Sequence, residues 1–141
     1  MGSIGQSTNH YSLLVGSPAA DNGGAVYTYR RIASAGNAGT YANNIILTLS
    51  AEDTAGYGNS LEWGDNNWAV IGASTSRSGQ GYASVVYQIP GSNDYEQTQL
   101  LTALSSNAVT TNAVAFGSAV AMSKDERWMY VSAPVENLVY A

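Results

Sequence analysis

The sequence predicts an all-β fold built from a four-stranded antiparallel unit repeated along the chain. Three observations predict it. Apolar segments of 4–7 residues, rich in Val, Ile, Leu and Tyr, alternate with clusters of turn formers. Equivalent segments return every 56–60 residues. No window holds helical apolar spacing for ten residues without meeting Gly, Pro or a β-branched cluster.

The segments fall into four types. The first opens each unit as YGNSLEW at 57–63 and FGSAVAM at 116–122, with Ile4-Gly5-Gln6-Ser7 as a degenerate copy. That copy lies 11 residues before Val15, whereas Tyr57 lies 14 before Ile71, so its turn is shortened. The second type is LLVGSP at 13–18, AVIGAS at 69–74 and MYVSAP at 129–134; Val15, Ile71 and Val131 are in register, 56 and 60 residues apart. The third is AVYTY at 25–29, SVVYQI at 84–89 and LVYA at 138–141. The fourth occurs twice, IILTLS at 45–50 and QLLTAL at 99–104. Asn22-Gly23-Gly24, Gly64-Asp65-Asn66-Asn67, Gly79-Gln80-Gly81 and Pro90-Gly91-Ser92-Asn93 supply turns between them. A sandwich does not require a near-identical unit repeated, and most solenoid repeats are shorter. Four antiparallel strands arranged radially form a β-propeller blade. The chain divides into an N-terminal segment 1–11, a first blade 12–56, a second 57–115 and a third 116–141 that lacks its outer strand. That is about 2.5–3 four-stranded blades per chain.

Particular residues suit this unit. Gly58 and Gly117 fall where the innermost strands crowd together, and a missing Cβ permits close backbone approach. Gly16, Gly72 and Ser132 sit at strand ends, with Pro18 and Pro134 just beyond, where small residues let the chain turn. Val26-Tyr27, Val86-Tyr87 and Val139-Tyr140 alternate a β-branched residue with an amphipathic ring, so one face packs on the next blade and the phenol reaches a polar rim. Trp68 and Trp128 stand 60 residues apart at the start of the second strand. Two roles fit them: packing between blades with the indole N–H bonded to a carbonyl, or a stacking platform for a sugar.

Composition narrows the function. The chain has 141 residues, a net charge of −5 and only 11% charged residues, well below the roughly 25% of ordinary soluble domains. Five basic residues (Arg30, Arg31, Arg77, Lys124 and Arg127) cannot make the electrostatic footprint of a nucleic-acid binder or a polybasic hold on an anionic membrane. The absence of cysteine excludes disulfides and thiolate chemistry and leaves the compartment open. No apolar run approaches the ~20 residues of a spanning helix. The opening MGSIGQSTNH has neither the basic nor the apolar region of a secretory signal.

FGSAVAMSKDERWMYVSAP and VGSPAADNGGAVYTY closely resemble the FG-GAP repeat of integrin-like β-propellers. In that repeat Phe-Gly opens the first strand, Gly-Ala-Pro closes the second and Gly-Ala-Val-Tyr begins the third. The matching residues are Phe116-Gly117 with Ser132-Ala133-Pro134, Tyr57-Gly58 with Gly72-Ala73-Ser74, and Gly16-Ser17-Pro18 with Gly24-Ala25-Val26-Tyr27, so the resemblance covers most of 12–141. RWMYVSAP…VYA is also similar to repeats in structural proteins of marine bacteriophages and in bacterial surface proteins, which implies a virion or extracellular setting. Many FG-GAP blades carry an Asp-x-Asp-x-Asp-Gly calcium loop. The equivalent turns here, Gly64–Asn67 and Ser123–Arg127, lack two or three of its carboxylates, so no structural calcium and no other cofactor is expected.

Catalytic signals are thin. His10 is the single histidine and lies in the N-terminal segment. Glu52-Asp53 and Asp125-Glu126 are adjacent carboxylates, which point apart on a strand or into solvent in a turn, whereas a glycosidase needs two converging ones. Ser123-Lys124-Asp125-Glu126-Arg127-Trp128 resembles the Asp-box of sialidases without its Gly and Thr, and such boxes are structural turns. The loops Asp21–Gly24 and Ser78–Gly81 lack the helix a phosphate cradle needs. The expectation is a non-enzymatic propeller module for structural assembly or recognition. The alternatives are a glycan-binding propeller, with Asn66, Asn67, Trp68, Arg77 and Tyr82 as contacts, and a carboxylate-dependent hydrolase. Half a ring would expose apolar faces and strand edges. It is therefore either part of a longer propeller or is closed by a homodimer into six blades, with Ile4–Tyr11 or the partner's edge completing the last blade.

Overall fold

The computed structural model describes residues 4–6, 12–20, 23–32, 40–47, 55–90, 94–103 and 113–141. Among them eleven strands make three antiparallel sheets. Sheet 1 runs β1 (Ile4–Gln6), β2 (Ser12–Ser17), β3 (Ala25–Ile32), β4 (Thr40–Leu47). Sheet 2 runs β5 (Ser60–Trp63), β6 (Trp68–Ala73), β7 (Tyr82–Gln88), β8 (Tyr95–Leu101). Sheet 3 runs β9 (Val120–Met122), β10 (Met129–Ala133), β11 (Leu138–Tyr140). Every strand pairs with its neighbour in sequence, so each sheet is a simple meander. The strand β1 pairs Ile4 with Val15 and so opens sheet 1. Of the Ile4–Tyr11 segment considered, with the partner's edge, for completing the last blade, Ile4–Gln6 is thus engaged in sheet 1, and residues 7–11 lie outside the described residues.

Cross-strand register defines equivalent positions. Gly16 pairs with Val26, Gly72 with Ala83 and Ser132 with Val139. Val26 thus corresponds to Ala83, not to Val86 as the Val-Tyr pattern suggested. The third strand begins directly after a glycine, Gly24 or Gly81, and that turn sets the register regardless of where the tyrosines fall. A bulge recurs at the same place, between Thr28 and Tyr29 in β3 and between Val85 and Val86 in β7.

The sheets pack face on face, and alternation along each strand gives two faces with different partners. Leu14 and Val26 of sheet 1 are buried with Tyr57, Leu61, Ile71 and Tyr82 of sheet 2. Val70 and Ala83, on the opposite face of sheet 2, are buried with Phe116 and Val131 at sheet 3. Each sheet therefore has a leading face toward the sheet before it and a trailing face toward the one after.

The same backbone contact holds both junctions. A Cβ at Gly16 would overlap the carbonyl oxygen of Gly58, and one at Gly72 would overlap that of Gly117. Gly58 and Gly117 themselves hold φ of +87° and +86°. Close approach was expected of that pair. Gly16 and Gly72 are the second-to-last residues of their strands, near the strand ends expected of them, and they are small because the next sheet's backbone lies against them. Gly24 makes a parallel bridge to Tyr57, and Gly81 makes the same bridge to Phe116. The Ser60 hydroxyl donates to the Gly117 carbonyl at 2.8 Å, and Asn59 Nδ2 donates to the carbonyls of Gly117 and Ser118 at 3.3 and 3.2 Å.

Pro18 starts the turn after β2, and exposed Pro134 starts a 3-10 turn, Pro134–Glu136, after β10. Trp128 departs from the packed position considered for it: it is 56% exposed, on the trailing face of sheet 3, where no described residue covers it. Among the described residues no helix is long and apolar enough to cross a membrane.

Candidate functional site

The turn Gly64–Asn67 between β5 and β6 and the turn Ser123–Trp128 between β9 and β10 lie side by side at one end of sheets 2 and 3. Between them opens a cleft of about 610 Å³, lined by Asn66, Trp68, Thr98, Asp125, Glu126 and Met129 among others. Its aromatic wall is Trp68, half-buried and tilted 44° over Tyr87 with ring centroids 4.7 Å apart. The two rings meet because Trp68 and Tyr87 are direct cross-strand partners on the trailing face.

The acidic wall is a self-contained turn. Ser123 Oγ donates to Asp125 Oδ1 at 2.6 Å and accepts the Trp128 N–H at 3.1 Å, while Ser123 N–H donates to the Trp128 carbonyl at 2.9 Å. The Arg127 N–H reaches Asp125 Oδ1 at 3.4 Å. The Ser123 hydroxyl first, and that N–H second, hold the Asp125 carboxyl below its ordinary value. Glu126, in the left-handed region at φ 56°, turns its carboxylate across the cleft, where Oε1 accepts the Asn66 N–H at 2.5 Å. An ionised Asp125 accepts hydrogen bonds and does not supply a proton. Beside an aromatic platform and the side chains of Thr98 and Gln99, this suits a hydroxyl-rich, uncharged ligand better than an anion.

The five candidate contacts do not form one group. Asn66 and Trp68 line the cleft. Asn67, next to them, is only 9% exposed, with φ 73°, and its carbonyl accepts the Gln88 N–H at 2.9 Å. It is a turn residue and is not among those that line the cleft. Arg77 and Tyr82 lie at the far end of β6, five to six residues along a strand that rises ~3.3 Å per residue. There the Arg77 guanidinium stands 5.6 Å from the Tyr82 ring centre. Tyr82 is 0% exposed and packs against Tyr57, its ring centroid 6.4 Å away. It is part of the core cluster and lies away from the cleft.

Thr98, Gln99, Asp125, Glu126 and Met129 were not singled out as contacts. The 60-residue period makes the Glu126 turn the equivalent of the Asn66 turn, without by itself placing them in contact. Asn66 and Glu126 are 60 residues apart and touch, because each turn faces its own equivalent one sheet on. A second, more apolar groove of about 330 Å³ lies beside β11, lined by Leu100, Leu101, Phe116, Met129, Val131 and Tyr140 among others.

No protein-family model matches the chain, and no curated protein is significantly similar to it.

Proposed function

We propose that the chain is a non-catalytic β-propeller module for recognition or structural assembly. One observation carries this: the same sheet-to-sheet contact occurs twice, Gly16 on Gly58 and Gly72 on Gly117, with the same parallel bridge beside it. The same contact repeated between successive meander sheets is what blades set around one axis would make. The resemblance to the FG-GAP repeat points the same way. The setting it implies is a virion or a cell surface. Against a hydrolase stands the chemistry of the cleft. Its two carboxylates are adjacent in one turn, and the Ser123 hydroxyl lowers the pKa of Asp125, which suits it to accept hydrogen bonds rather than to donate a proton.

A second reading has an observation of its own. The Trp68–Tyr87 platform, flanked by Asn66, Thr98 and the Asp125–Glu126 turn, has the makeup of a glycan subsite. A glycan array, followed by a glycoside and ester substrate screen on the same protein, tests both readings. Binding without turnover is expected. Trp68→Ala is expected to weaken it at least tenfold while the circular dichroism spectrum stays unchanged. Turnover of any substrate overturns the non-catalytic reading. An array with no binding removes the glycan reading and leaves assembly.

A further inference from the structure

Leu14, Val70 and Tyr130 occupy one position in three successive sheets, as do Val26, Ala83 and Val139. Their burial differs completely. Leu14 and Val26 are 0% exposed beneath sheet 2, and Val70 and Ala83 are 0% exposed beneath sheet 3; Tyr130 is 40% exposed and Val139 66%. Trp128, equivalent to half-buried Trp68, adds to the same face. The trailing face of sheet 3 is thus apolar for the reason the other two are, and no described residue covers it.

The chain also presents the surface that such a face accepts. On the leading face of sheet 1 stand Leu13, Val15, Tyr27 and Tyr29, all only partly buried. Val15 holds the position of Ile71 and Val131, and those two residues are buried in the clusters against the preceding sheet's trailing face. Trailing face on leading face is a contact this sequence already makes twice.

We infer that the trailing face of sheet 3 binds the leading face of sheet 1 in a second copy, and that two copies join head to tail through two such contacts. The occupant is a second copy because the complementary face lies on this same chain. Two copies of three sheets give six, within the roughly four to eight of closed propellers. The inference rests on the propeller reading, since a heterologous contact closes only if the rotation per sheet completes a circle and otherwise grows into a filament. Ser132 stands where Gly16 and Gly72 stand, its Oγ accepting the Ala119 N–H at 2.8 Å. A side chain therefore stands in the contact between copies where the contacts within a copy have glycine.

Sedimentation of the full 141-residue chain across concentration tests this, with scattering on whatever assembly forms. A species of twice 14.7 kDa is expected. Val139→Lys on the trailing face and Leu13→Asp on the leading face are each expected to raise the dimerisation midpoint at least tenfold. Mixed together, they are expected to recover dimer, because the mixed pair retains one undamaged contact. Tyr29→Lys replaces Leu13→Asp if the latter loses its β circular dichroism. A folded monomer at all concentrations overturns the inference and leaves the propeller reading standing, the face then serving a further repeat unit or another protein. A dimer that the leading-face variant leaves intact means trailing faces pair with each other, which also overturns it. Open filaments overturn closure and the propeller reading together.

Discussion

At the scale of the residue, the molecule depends on a few positions where no side chain fits. At Gly72 the obstacle to a Cβ is the Gly117 carbonyl and the Ser60 hydroxyl that donates to it, both fixed by the sheet junction. Neither is the free end of a flexible chain, so the sheets must separate. Gly72→Ala is expected to cost about 1–3 kcal/mol, the range for overpacking a well-packed interior, read from the urea unfolding midpoint. Tyr57 gives a second test. Burial pushes its phenol well above the ordinary value, against a smaller opposing pull from the Ser84 hydroxyl. The unfolded chain loses this proton first, near pH 10. Stability is therefore whole below that pH and falls as pH rises above it. Tyr57→Phe is expected to lessen the slope above pH 10 by one proton, about 1.4 kcal/mol per pH unit, in denaturation curves taken from pH 9 to 11.

At the scale of the element, the β9–β10 turn shows how a polar sequence becomes fixed structure. Ser123 donates to Asp125 and accepts from Trp128, so one hydroxyl closes the loop from both sides. The Asp125 carboxyl is lowered by that bond. Its contribution is present above the ordinary carboxylate pKa of about 4 and is lost as pH falls through the lower folded value. A carbon-detected NMR titration is expected to give Asp125 a midpoint below the ordinary value, and Ser123→Ala to return it upward. An unchanged midpoint in that variant would remove the hydroxyl as the cause. Elements also differ in how readable they were. The second strands were legible because LLVGS, AVIGA and MYVSA are compact apolar runs that each end on small residues followed by proline or serine. The fourth strands were placed too late: β8 begins at Tyr95, whereas its apolar run starts at Gln99. An outermost strand leaves Glu96, Gln97 and Thr98 exposed, so the apolar pattern covers only the half that packs. The aromatic half of the cleft was legible through Trp68. The acidic half was not, because one sequence does not say that two turns 60 residues apart lie side by side.

At the scale of the whole molecule, the three sheets are unequal because cover is unequal. Sheet 2 is buried on both faces, with Ile71 on one and Val70 on the other both at 0% exposure. Sheet 3 shares one face with it and presents Trp128, Tyr130 and Val139 on the other. Opening sheet 2 breaks both clusters, whereas lifting β11 from β10 loosens the edge of one, chiefly the Tyr140 contact with Phe116. Local opening free energies follow such differences in buried contact. In native-state hydrogen exchange on dilute protein, the amides of Val70, Ile71 and Val85 are expected to exchange with the global unfolding rate. Those of β11 are expected to be faster by roughly 100-fold or more, about 2.7 kcal/mol in opening free energy. If the inferred dimer forms, raising the concentration should slow β10 and β11, together with β2 and β3 of the leading face, and leave β6 and β7 where they were, since sheet 2 gains no cover from another copy. Equal protection of β7 and β11 in dilute protein would mean that sheet 3 draws its stability from contacts other than its junction with sheet 2.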